Sequence, residues 1–186
     1  NIKNMACDLT KGRKEPCKDV VGGIKAVYFI DYGDITVTYD STNTDVVDDL
    51  GAVTAYKYEL KGNSSFEQTI TSSRENGTTF FEQSLNITLK KLTLEDNKEL
   101  KLLAYGRPHV VVADYNGNAF LMGAEHGAEV NGGTIVTGAA MGDLSGYTLT
   151  LSAQEQLPAN FLEGATEADP FAGLTSTVTV TEGTNS

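Results

Sequence analysis

Residues 78–89 read TTFFEQSLNITL, and their alternation decides the fold. Phe81, Gln83, Leu85, Ile87 and Leu89 share one side of an extended chain, and Glu82, Ser84, Asn86 and Thr88 share the other. Successive side chains of a strand point to opposite sides, so this segment has a dry face and a wet face. Such a pattern belongs to an antiparallel sheet packed on a core on one side only. Phe80 alone breaks the wet face.

Upstream, Asn76-Gly77 marks a hairpin turn that would join this strand to another over residues 65–72. Residues 61–63 turn the chain out of a strand at 52–60, where Tyr56, Tyr58 and Leu60 form the apolar side. Residues 24–31 (IKAVYFID) and 34–39 (DITVTY) flank Tyr32-Gly33 as a hairpin, and 40–50 form an acidic loop with Asp45, Asp48 and Asp49. Downstream, Thr93 is positioned to cap a helix over 94–105, with Asp96 completing a capping box. Leu100, Leu103 and Ala104 give that helix an apolar stripe, Gly106 ends it and Pro108 prevents its continuation. Residues 109–115 and 119–124 flank Asn116-Gly117-Asn118 as a second hairpin. Residues 123–146 hold seven glycines and no basic residue and read as a loop. A strand at 146–154 places Tyr147, Leu149 and Leu151 together, 155–174 read as loop, and 175–182 form a last strand. About nine strands with one helix predict a mainly antiparallel all-β fold, a sandwich or barrel with one flanking helix and long loops.

The 186 residues, 40% hydrophobic and 21% charged, suit one globular domain with arms. The division expected is an extended N-terminal arm at 1–23, a β domain at 24–158 and a C-terminal extension at 159–186 carrying the last strand. Charge is distributed unevenly. Residues 1–25 hold six basic and three acidic residues, whereas after Arg107 there are nine acidic residues and no Lys or Arg. A long one-sign stretch repels polyanions, or meets a basic partner. The arm's Lys11, Arg13, Lys14 and Lys18 lack interleaved aromatics, so the arm reads as a tether to an acidic neighbour, such as another copy, rather than a nucleic-acid site.

Nothing in the chain reads as catalytic. There is no GxSxG elbow, and the glycines near 138 lack the Lys of a phosphate loop. His126 lies between Glu125 and Glu129, a trio able to hold a metal but read here as a solvated loop, and His109 reads as a strand-end residue. Asp45, Asp48 and Asp49 lack the Gly and Glu of a calcium loop. No cofactor, metal or membrane span is expected, since no apolar run is long enough to cross. Residues 1–25 contain no apolar stretch like the core of a signal peptide. Cys7 and Cys17 are therefore read as reduced rather than bonded, and the sequons at Asn63, Asn76 and Asn86 as chance matches.

Residues 72–158 carry an ordered set of features: the wet–dry strand, the helix TLEDNKELKLLAYG, the Asn-Gly hairpin, Leu-Met-Gly, Gly-Ala-Glu-Val, a glycine-studded loop, then GDLSGYTLTL and an acidic exit. In this order they resemble the tail tube proteins of tailed bacteriophages. The resemblance covers nearly half of the chain, and residues 1–60 and 159–186 add little to it. It implies a non-enzymatic virion subunit that self-assembles, six copies to a ring, with stacked rings forming an acidic tube through which genomic DNA passes without specific binding. It implies a location in the virion tail after assembly in the host cytoplasm. The partners implied are further copies, and tail sheath, tape measure, and tail-terminator or baseplate proteins.

Within that expectation, Glu82, Ser84, Asn86 and Thr88 are candidates to face the lumen, with the acidic C-terminal strands as the other choice. Gly127, Glu129, Gly132, Gly133, Gly138 and Asp143 are candidates for an inter-subunit loop. Lys11, Arg13, Lys14 and Lys18 are candidate arm contacts between rings by charge complementarity. The alternatives are a capsid decoration or head–tail joining protein, or a carbohydrate-binding, adhesin-like sandwich using tyrosines such as Tyr28, Tyr32 and Tyr39.

Overall fold

A computed structural model describes residues 9, 11–60 and 63–183. The chain runs β1 (Ile24–Ile30), β2 (Thr38–Tyr39), β3 (Val46–Asp49), β4 (Thr54–Glu59), β5 (Ser65–Ser73) and β6 (Thr78–Lys90), then α1 (Leu94–Tyr105). It continues with β7 (His109–Asp114), β8 (Ala119–Met122), β9 (Glu129–Val136), β10 (Gly146–Glu155), β11 (Asn160–Leu162) and β12 (Thr179–Thr181). The strands form an eight-stranded sheet, β12-β4-β1-β7-β8-β11-β3-β2, and a four-stranded sheet, β5-β6-β10-β9. Two pairings are parallel, β11 with β3 and β12 with β4. The fold is all-β and mainly antiparallel, two sheets with one helix.

The two sheets enclose the main core. Val27 and Phe29 of β1 and Val110 and Val112 of β7 meet Leu85 and Ile87 of β6 and Tyr147 and Leu151 of β10. β1 and β7 are buried on their other face as well. There Tyr28, Ile30 and Val111 pack with Val47, Leu50, Leu121, Leu162 and Phe171 in a second cluster. The ring of Phe171 meets that of Tyr28 edge-on at 4.9 Å. Strands buried on both faces read as unbroken apolar runs, which explains AVYFI in β1 and HVVVA in β7.

The wet–dry strand forms β6 as expected, with Gln83, Leu85, Ile87 and Leu89 buried and Glu82 and Asn86 exposed. β5 and β6 form the Asn-Gly hairpin, and β7 and β8 the Asn116-Gly117 hairpin. Gly117 sits at φ 82°, the left-handed conformation that such a turn requires. The helix covers the expected residues, and Thr93 Oγ1 accepts the Asp96 amide at 3.1 Å. The Thr93 amide donates to the Tyr147 hydroxyl at 3.2 Å, so a core tyrosine joins the cap and ties the helix start to β10.

Several expectations need correction, among them the last strand, which spans Thr179–Thr181 rather than 175–182, and the apolar stripe of the helix, where Leu100 is buried but Ala104 is exposed. Residues 24–31 and 34–39 do not form a hairpin: β1 lies between β4 and β7, and only Thr38–Tyr39 is extended, paired with β3. The chain leaves the sheet at Gly33, whose amide donates to the buried His109 ring. The acidic loop at 40–50 contains β3, because Val47 inserts into the second cluster while Asp49 accepts bonds from the Gly51 amide and from the amide and hydroxyl of Ser176. The glycine-rich stretch holds β9, an eight-residue edge strand paired with β10. Within it, Glu129, Gly132 and Gly133 are strand residues rather than loop residues. Finally, 155–174 include β11, where Leu162 anchors a three-residue strand too short to carry a periodic signal. The turn at 61–62 and Cys7 lie outside the described residues, and Cys17 is an exposed free thiol. Among the described residues no helix is long and apolar enough to cross a membrane.

Candidate functional site

The feature that stands out is the outward face of the four-stranded sheet. Register fixes which side chains share it. Glu82 is opposite Thr69 and Gln154, Ser84 opposite Glu67 and Ser152, and Asn86 opposite Ser65 and Thr150. Thr88 is opposite Thr148, which in turn is opposite Thr134 of β9. The four candidate residues Glu82, Ser84, Asn86 and Thr88 thus form the centre line of a field of hydroxyls, amides and carboxylates. Lys90, opposite Gly146 at the end of β6, is the one basic residue in this register.

Short polar bonds knit the field together. Thr150 Oγ1 donates to Asn86 Oδ1 at 2.9 Å, the Thr134 and Thr148 hydroxyls lie 2.6 Å apart, and Asn131 Nδ2 donates to Ser152 Oγ at 3.1 Å. The face carries acidic points at Glu67, Glu82 and Glu129.

Among the described residues both borders of this sheet are open edges. β5 and β9, of nine and eight residues, each pair on one side only. Each carries an exposed isoleucine on its core-facing side, Ile70 at 67% and Ile135 at 65% accessibility. Long unpaired edges of this kind are sites of pairing with another chain.

The other candidates are dispersed. Gly127 is buried in the turn before β9 at φ 74°, where an added Cβ would lie 2.4 Å from the Arg107 carbonyl oxygen. Gly138 and Asp143 form the tip between β9 and β10. Asp143 Oδ2 accepts the Ala139 and Ala140 amides at 3.0 and 2.8 Å, and these bonds hold its pKa below the usual carboxylate value. Met141 at that tip is fully exposed. Sequence reasoning passed over it, although a methionine inside a Gly/Ala run with no partner spacing was the available signal. Lys11, Arg13, Lys14 and Lys18 are exposed on an irregular segment fastened to the body through Val21, whose amide donates to Asn116 Oδ1 at 3.1 Å.

The two histidines differ. His109 is buried: Nδ1 lies 2.6 Å from the Gly123 carbonyl oxygen and Nε2 accepts the Gly33 amide at 3.2 Å. Burial lowers its pKa, and its ring stacks on Tyr32, over which the Arg107 guanidinium lies at 4.1 Å. His126 is exposed, and the carboxylates grouped with it are Glu125 and Glu155; Glu129, the neighbour expected beside it, stands in β9.

No family model matches the chain, and no curated protein matches it. A solved structure described as "Virion of native gene transfer agent (GTA) particle" is similar at 8% identity and a TM-score of 0.36, over 70% of this chain and 97% of that one. A likeness this faint decides nothing about the role of the chain.

Proposed function

We propose that the chain is a structural virion subunit of the tail tube type, in which copies join their four-stranded sheets edge to edge around a bore. The observation that supports this reading most is the outward face centred on Glu82, Ser84, Asn86 and Thr88, nearly free of basic residues and bordered by two open edges. Pairing of β5 with a neighbour's β9 would remove both edges and cover Ile70 and Ile135, as closure does in a barrel. Six copies of a four-stranded sheet, at about 4.8 Å per strand, give a circumference of about 115 Å, wide enough across for a DNA duplex.

The chemistry suits passage without adhesion. Each phosphate neutralised by Lys or Arg releases counterions and favours binding. A face of hydroxyls and carboxylates offers no such gain, so DNA would slide past it. In this reading the tip at Met141 and the basic arm contact further copies in the same ring or the next. Tail sheath, tape measure and tail-terminator or baseplate proteins would be the other partners.

Negative-stain electron microscopy of concentrated protein tests it. Rings or hollow tubes are expected, lost when Ile70 and Ile135 are both replaced by Lys. A chain that stays monomeric at every concentration, or assembles with the arm's cations lining the bore, overturns the reading.

A further inference from the structure

We propose that Glu125, His126 and Glu155 form a binding site for a first-row divalent transition metal such as Zn2+. The site begins with an anomaly. Glu155, the last residue of β10, is only 5% exposed, yet among the described residues no Lys or Arg pairs with it; its ion-pair neighbour is His126, with Nε2 4.0 Å from Oε2. A buried carboxylate is costly unless a cation compensates it.

Its two oxygens are treated differently. Oε1 accepts the amides of Glu125 and His126 at 3.3 and 2.9 Å, whereas Oε2 accepts no hydrogen bond among the described residues and is aimed at the imidazole. The carboxylate is therefore held in orientation through one oxygen and left available through the other. Ordered second partners of this kind set the direction of a metal ligand.

The backbone that presents the other two ligands is equally fixed. Residues 123–127 form a turn closed by the Gly127 amide on the Gly123 carbonyl at 3.1 Å. The Gly123 amide donates to the buried Gln83 Oε1 at 3.0 Å, and the Gly123 carbonyl also receives His109. The side chains of Glu125 and His126 on this turn are exposed. The ligand atoms of all three residues already lie within 4.8 Å of one another. Ligands around a tetrahedral ion with bonds of about 2.0–2.1 Å stand about 3.3 Å apart. The two exposed side chains need only close inward on the fixed carboxylate.

The donor set selects the metal. One imidazole nitrogen with two carboxylates suits Zn2+ and its neighbours, while Ca2+ prefers six to eight oxygens. A fourth position remains for water. A small cavity of about 50 Å³ opens beside the carboxylates, lined in part by Tyr39, Gln83 and Asn160, and gives that water polar neighbours. Bound metal would tie the 123–127 turn to the end of β10, a structural role that does not depend on the tube reading, since a single copy supplies every ligand.

The test is calorimetric titration of the full chain with ZnCl2 at neutral pH, with Cys7 and Cys17 replaced by Ser so that thiolates do not compete. One Zn2+ per chain is expected, with a rise in melting temperature that CaCl2 does not reproduce. His126→Ala, at an exposed position that leaves the fold intact, should weaken binding by about tenfold or more, at least as much as loss of an outer partner of a ligand does. Glu155→Gln should do the same, because its amide oxygen can still accept the two backbone amides. No Zn2+ binding by the parent, or affinity unchanged by His126→Ala, overturns the proposal.

Discussion

The two sheets treat their second face in opposite ways. In the eight-stranded sheet, β1 and β7 are apolar on both sides, and Tyr28, Ile30 and Val111 lie in a second cluster closed by Leu162 and Phe171. In the four-stranded sheet the corresponding face is wet, and its centre strand exposes Glu82 and Asn86. Strands buried twice gain stability from both faces and leave no free face at their centre. A sheet buried once gives up half of that gain and keeps a face and two edges for other uses. In the proposed reading the larger sheet is the support and the smaller one the working surface.

Neighbouring positions on β6 give the sharpest way to break this division. Leu85→Ala should cost about 2–5 kcal/mol, since it empties a fully buried site between the sheets. Asn86→Ala, one residue on and pointing the other way, should stay within about 0.5 kcal/mol. Urea unfolding of both variants measures the difference. If the two costs are comparable, the outward face is not free of structural duty and the comparison fails.

A second test concerns the turn that carries the chain from β8 in one sheet to β9 in the other. Gly127 has φ 74° and no room for a Cβ beside the Arg107 carbonyl. Gly127→Ala should therefore destabilise by at least about 1–3 kcal/mol from the positive φ, with the clash against the Arg107 carbonyl added to it. A cost near zero would mean that the turn relaxes easily and that the two sheets are less tightly coupled than they look.

The support and the working surface were not equally legible in the sequence. β6 could be read outright, because one dry face prints a period of two on the chain. The helix could be read to the residue, because Thr93 and Gly106 mark its ends. Strands without such marks were missed. β9 is an edge strand whose Gly132-Gly133 pair imitates a loop, and its strand character comes from pairing with β10 across a register shift. β3 and β11 are short and stabilised by Val47 and Leu162 inserting into a cluster built from distant segments. Local composition carries no trace of that. The outward face was legible on β6, but its extension over β5, β10 and β9 needed the register. The group around His126 was legible only in part: Glu125 and His126 are adjacent in the chain, but Glu155 lies 29 residues away and arrives through the fold, in the place expected of Glu129.

The working surface can also be tested for what it excludes. Ser84→Lys places a cation in the centre of the face without disturbing the core, so stability should change by about 0.5 kcal/mol or less. Assemblies of this variant should retain DNA at low salt and release it as salt rises, each added phosphate contact steepening the dependence of log K on log salt by about one unit. Filter binding over a salt series reads this directly. If the parent assembly already retains DNA as well as the variant does, the face has no role in passage.

The smallest effect expected is on pH dependence, and it belongs to the support. His109 is held between the Gly33 amide and the Gly123 carbonyl, an arrangement that needs the neutral ring, with Nδ1–H donating and Nε2 accepting. Burial lowers its pKa below the ordinary value of about 6.5. The unfolded chain therefore binds a proton at a higher pH than the folded one. Between the two values the unfolded state carries more protons, so stability rises with pH through that window. The stabilisation is complete above about pH 6.5 and is lost as the pH falls toward the depressed folded value. Stability of the parent and of His109→Gln, measured by urea unfolding from neutral pH downward, separates this contribution from that of the carboxylates. The parent should lose stability over that range more steeply than the variant. Parallel curves would mean that the ring accepts a proton in place, and that the seam joining Gly33, His109 and Gly123 is looser than the rest of the support.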